Sequence, residues 1–127
     1  MSRKVVLMFA AVLLIATLPA AAQSKMKTRV WTETTRLASL LQDVQSNVSL
    51  SGDSWKRIAN EANALANKVY GHTSGSSAAR ALARDLRSHV RELHKAAMSG
   101  DAAEAKRHAK EGLPFAYKLI DWSAPPA

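Results

Sequence analysis

Cysteine is absent from this 127-residue chain. That absence excludes disulfides, thiolate metal ligands, a lipid-modified cysteine anchor and a covalent haem-attachment motif together. Proline and glycine are scarce, with four and five residues, so few positions can break a helix. Aromatic residues make up only 6% of the chain, which leaves aliphatic side chains to build the core. No run alternates as a half-buried strand does. There is no Gly-rich phosphate loop, no Ser-His-Asp set in a workable chain order and no pair of buried carboxylates. An enzyme is therefore not expected.

What is present begins with an export pattern. Arg3 and Lys4 form a short basic stretch, and "VVLMFAAVLLIATL" follows as an uncharged run. That run has the length of a secretory signal and is too short for a membrane-spanning helix. Pro19 breaks it, and Ala20, Ala21 and Ala22 supply small residues for cleavage after Ala22. The expectation is a signal peptide over residues 1–22, a single domain over residues 23–127 and a periplasmic location. The whole chain carries a formal charge of +8, and losing Arg3 and Lys4 leaves about +6. Such a charge suits an acidic protein, an anionic lipid surface or a polyanion; no specific nucleic acid is expected.

The rest reads as helix. The spacing predicts helix one over residues 25–48, with Val30, Leu37, Leu41, Val44 and Val48 on one face and Met26 and Leu40 at its edge. Helix two, over residues 54–70, carries Trp55, Ile58, Ala59, Ala62, Leu65, Ala66, Val69 and Tyr70 as an apolar stripe. Helix three, over residues 77–98, turns Leu82, Leu86, Val90, Leu93 and Ala97 inward, and helix four starts at Ala102 with Ala105, Ala109, Leu113, Ala116 and Ile120 inward. "SGD" occurs twice, at Ser51–Asp53 and Ser99–Asp101. In each, Gly suits the left-handed position after a helix and Asp suits the next N-cap. Glu104 stands at capping-box distance from Asp101. Two tight hairpins joined by the looser "GHTSGSS" imply an all-α, antiparallel up-down four-helix bundle. Pro114, just after Gly112, predicts a kink there, with helix four resuming at Pro114.

The stretch "SGDAAEAKRHAKEG" and the layout around it resemble the small soluble haem b four-helix cytochromes and their c-prime relatives. The same stretch is similar to repeats in small periplasmic metal-binding helical proteins. The haem b resemblance implies a Met early in helix one as an axial ligand, which Met26 matches, and a His late in helix four. Here "FAYKLIDW" has no His, and the c-prime attachment motif needs cysteines that the chain lacks. What carries over is Met26 as an axial ligand of haem b with its expected partner missing; a His of helix three is the partner left to it.

His94 and His108 lie at matching heights on either side of the Ser99–Asp101 turn. The pair is a candidate metal site, which a mismatch of direction weakens without closing. At 100° per residue, His94 stands about 70° to one side of the helix-three core face and His89 about 70° to the other, while His108 stands about 90° off the helix-four face. Rotation favours His89 as the partner of His108, although it sits about one turn too far along. Glu104 and Glu111 flank His108 on one strip, a Glu-His-Glu set able to hold a divalent metal with one ligand from another helix. Arg80, Arg84, Arg87, Arg91 and Lys95 share one face of helix three, with Asp85 and Glu92 off the strip, and Lys106, Arg107 and Lys110 extend it. Trp31 and Trp122 are candidate interface aromatics. Three readings follow: a metal- or haem-binding bundle, an interaction module acting through the basic face, and a structural or stress-response bundle with no ligand. The first is taken forward by analogy of fold.

Overall fold

The computed structural model describes residues 20–46 and 52–125. The expected signal segment up to Pro19, and Val48 of the expected core, lie outside the described residues. The chain is all-α. Four helices, α1 (Ala20–Ser46), α2 (Gly52–His72), α3 (Ser77–Ser99) and α4 (Ala102–Ser123), pack in a ring. α1 and α3 each touch both α2 and α4, and among the described residues the backbones of the diagonal pairs do not approach one another. Among the described residues no helix is long and apolar enough to cross a membrane.

Each interface carries a polar tie. Glu33 and Arg36 of α1 meet His72 and Glu61 of α2, and Gln42 of α1 donates to Tyr117 of α4. Asn60 of α2 meets His94 of α3, and His89 of α3 meets His108 of α4. Between these ties lies an aliphatic core. The larger buried chains come mainly from the diagonal pair, with Val30, Leu37, Leu41 and Val44 on α1 and Leu86, Val90 and Leu93 on α3. α2 and α4 answer with Ala59, Ala62, Ala66, Ala105, Ala109 and Ala116, so large and small residues interdigitate.

The best-defined turn joins α3 to α4. Gly100 takes φ 78° and ψ 18°, its N–H bonds the Ala97 carbonyl and the Asp101 N–H bonds the Ala96 carbonyl, which closes a Schellman motif. Asp101 Oδ1 then accepts the Glu104 N–H at 3.1 Å and starts α4. Only half of the expected capping box forms, because the Glu104 carboxylate turns to Arg107 instead. Replacing Asp101 with Ala is expected to cost about 1 kcal/mol, read as a fall of roughly 4–8 °C in melting temperature. An unchanged melt would show that solvent caps the helix equally well.

Three expectations are corrected. Gly52 is the first residue of α2, not a left-handed cap; Gly100 is the one positive-φ residue among those described. α4 runs unbroken from Ala102 to Ser123 with Pro114 inside it. Pro114 and Lys110 are both exposed, so the Lys110 carbonyl that loses its partner faces water. With the helix continuous, its buried stripe passes through Gly112, Ala116, Leu119 and Ser123, and Ile120 is only partly buried.

Candidate metal centre

α3 and α4 bring His89, His108 and Glu111 together, with one ligand atom from each lying within 4.8 Å of the others. His89 Nδ1 and His108 Nδ1 are 3.3 Å apart. Glu111 Oε2 lies 3.6 Å from the first and 3.9 Å from the second. Two nitrogens bound to one tetrahedral zinc ion stand about 3.3 Å apart, given Zn–N distances of 2.0–2.1 Å. The His–His edge already has that length, and the carboxylate needs to close by a few tenths of an ångström. The rings are sheltered: the His89 side chain is 27% exposed and that of His108 12%. Phe115 stacks on His89, with centroids 5.8 Å apart and planes 18° from parallel.

Gly112 sets this geometry. A Cβ built there would lie 3.3 Å from His89 Cβ, 3.7 Å from Leu86 Cδ1 and 3.8 Å from Leu41 Cδ1. The bare backbone of α4 therefore lies against the root of the His89 side chain. Two ring-length side chains then span the axial offset between residues 89 and 108.

Arg107 organises the carboxylates. Its Nε donates to Glu104 Oε1 at 3.1 Å, its Nη2 to Glu104 Oε2 at 2.7 Å and its Nη1 to Glu111 Oε1 at 3.1 Å. The hydrogen bonds from Arg107 hold the Glu104 carboxyl below the ordinary carboxylate range, and the hydrogen bond with Glu104 raises Arg107 in return. With Oε1 taken, Glu111 has Oε2 left to face the histidines.

The sequence-predicted residues divide accordingly. Glu111, His108 and His89 converge. Glu104 does not join them, because its Oε2 lies 3.5 Å from Nε2 of His108, across the ring from the Nδ1 side. His94 is not paired with His108; its Nε2 lies 2.8 Å from Asn60 Oδ1 on α2. Met26 is partly buried near the start of α1. Leu41 faces the histidine end of Gly112, and Met26 lies about 22 Å farther along α1. Met26 and a helix-three histidine therefore do not meet across one iron.

The basic strip is partly neutralised. Arg84 pairs with Asp85 at 3.5 Å and Lys95 with Glu92 at 3.3 Å, so the acidic neighbours expected off the strip reach into it. Arg80 and Arg87 lie over the Tyr70 ring, 4.1 and 3.7 Å from its centroid. Arg91 is exposed and has no ion-pair partner among the described residues. Arg107, expected to extend the strip, belongs to the carboxylates. Trp31 and Trp122 are partly buried, and Lys27 lies over the Trp122 ring.

The His72–Glu33 contact, at 2.7 Å, went unforeseen. It joins the last residue of α2 to the middle of α1, a pairing that no local spacing reports. No protein-family model matches the chain, and no match to it is found among curated proteins or solved structures.

Proposed function

We propose that the chain is an exported, non-enzymatic binding protein, an antiparallel up-down four-helix bundle that takes a divalent transition-metal ion at His89, His108 and Glu111. The observation that carries this reading is the convergence of three donor atoms from two helices within 4.8 Å. Two imidazoles and one carboxylate suit zinc, nickel, copper or iron rather than calcium or magnesium. Three protein ligands also leave a coordination position open. Haem b is set aside because Met26 and the histidines lie far apart along the bundle. The antiparallel order is supported by the α1–α2 ties: Glu33 meets the end of α2 at His72, while Arg36 meets the earlier Glu61. Export is supported by the basic, apolar and small-residue order of the first residues. Ala20, Ala21 and Ala22 are exposed, so the loss of these three residues uncovers no core.

A thermal melt with and without Zn²⁺ tests the reading. At a free ion concentration one hundred times the dissociation constant, binding adds about 2.7 kcal/mol. For a domain of this size that raises the melting temperature by on the order of 10 °C. A chelator should reverse the rise. Lower pH should shrink it, because protons compete for both imidazoles. A melt that ignores the ion at every pH refutes the proposal.

A further inference from the structure

The two contacts at His108 Nε2 exclude one another. Arg107 Nη2 lies 3.3 Å from it and Glu104 Oε2 lies 3.5 Å from it. A guanidinium nitrogen only donates, so the Arg107 contact is a hydrogen bond only when Nε2 is bare and the ring proton sits on Nδ1. A carboxylate only accepts, so the Glu104 contact is a hydrogen bond only when Nε2 carries the proton. The first arrangement completes a donor chain: Arg107 donates to His108 Nε2, and His108 Nδ1–H donates across 3.3 Å to His89 Nδ1. In that arrangement the Nδ1 lone pair of His108 is not available to an ion. In the second arrangement His108 Nδ1 is unprotonated, its lone pair goes to an ion once His89 Nδ1 is unprotonated too, and Glu104 holds the ring from behind, as a carboxylate holds a metal-bound imidazole.

We infer that Arg107 is a latch on the metal site, holding His108 in the tautomer that cannot bind, and that Glu104 is the outer carboxylate that takes over when the ion enters. The inference rests on the metal-ion reading above. Opening the latch changes no net charge on the ring: Nδ1 gives one proton to water and Nε2 takes one from water. The ion then replaces the His–His hydrogen bond along the same edge. Arg107 is thus a positioning residue, acting through His108 and never touching the ion. Its positive charge beside the site also repels a cation, so both effects of removing it tighten binding. The opposing effect is the loss of its hold on Glu111 Oε1, an exposed pair that contributes little.

The test is a Zn²⁺ titration of the full folded chain at one fixed pH in a non-chelating buffer. Arg107→Met should bind about tenfold more tightly than the unaltered chain, and Glu104→Ala about tenfold more weakly. Ring ¹⁵N shifts of His108 give a readout that a merely structural role would leave still. They should report the proton on Nδ1 in the metal-free chain, and on Nε2 both in metal-free Arg107→Met and in the zinc-bound protein. An Arg107→Met affinity that is unchanged or weaker overturns the latch, and so does a His108 tautomer that does not respond. Either result leaves the metal site standing so long as His89→Ala still lowers the affinity by about 100-fold. If His89→Ala titrates like the unaltered chain, the site fails and the latch with it.

Discussion

Alanine at His89 or at His108 is expected to lower Zn²⁺ affinity by about 100-fold, equivalent to some 2.8 kcal/mol. The size follows from the donor count. Three side chains make the site, and taking away either imidazole leaves one nitrogen and one partly exposed carboxylate. Two such donors hold a divalent ion little better than water does. The double variant should therefore lose hardly more than either single one, a non-additivity expected of residues that act as a unit. Glu111→Gln should cost about tenfold, since its carboxylate is the more exposed and more distant donor. His94→Ala and Met26→Ala should leave the titration unchanged, because neither residue stands with the trio. His89 also packs on Phe115, so His89→Gln, which keeps most of the volume, separates lost ligation from lost packing. Isothermal titration on variants that still melt cooperatively reads all of this. Full affinity in both His89→Ala and His108→Ala would remove the site.

Much of the fold is legible in the chain because it is locally encoded. The apolar period places Leu37, Leu41, Leu86 and Val90, and the Gly100–Asp101 pair marks a helix stop and a helix start. Gly112 and Pro114 mislead for the same reason that Gly100 does not. Local chemistry treats both as breakers, yet Gly112 is there so that α4 can lie against His89, and that contact exists only once α3 is in place. The candidate site divides along the same line. Rotation about each helix axis favours His89 over His94 for His108, and the fold pairs them. Glu104 is harder to assign from sequence. Arg107 stands three residues after it and four before Glu111, His108 is four residues after it, and such local pairs each amount to only a few tenths of a kcal/mol. Preferences that small are decided by rotamers and by neighbours on α3. The Asn60 contact that removes His94 crosses from α2 to α3, where no local pattern reports the pairing.

Valine at Gly112 should damage both the fold and the site, and the two losses can be told apart. Alanine is the gentler probe. It gains about 1 kcal/mol of helix propensity, but its methyl meets His89 Cβ at 3.3 Å, a contact that neither backbone can widen cheaply. The two effects oppose each other, so Gly112→Ala should melt within about 1 kcal/mol of the unaltered chain. Valine adds two further methyls where Leu86 and Leu41 already lie 3.7 and 3.8 Å from the Cβ position. Forcing extra carbons into a packed contact costs about 1–3 kcal/mol, and the β-branch gives back most of the propensity gain. The melting temperature should fall by roughly 10 °C. At a temperature where the variant is still folded, its Zn²⁺ affinity should fall by about tenfold or more. The helices must part at the level of His89 to admit the side chain, and a 3.3 Å ligand edge opened by an ångström no longer fits one ion. Gly112→Ala should show the affinity loss in smaller measure with almost no loss of stability. That separation matters most: a valine variant that melts early but binds zinc normally would mean that Gly112 serves packing alone and that the histidines find each other without it.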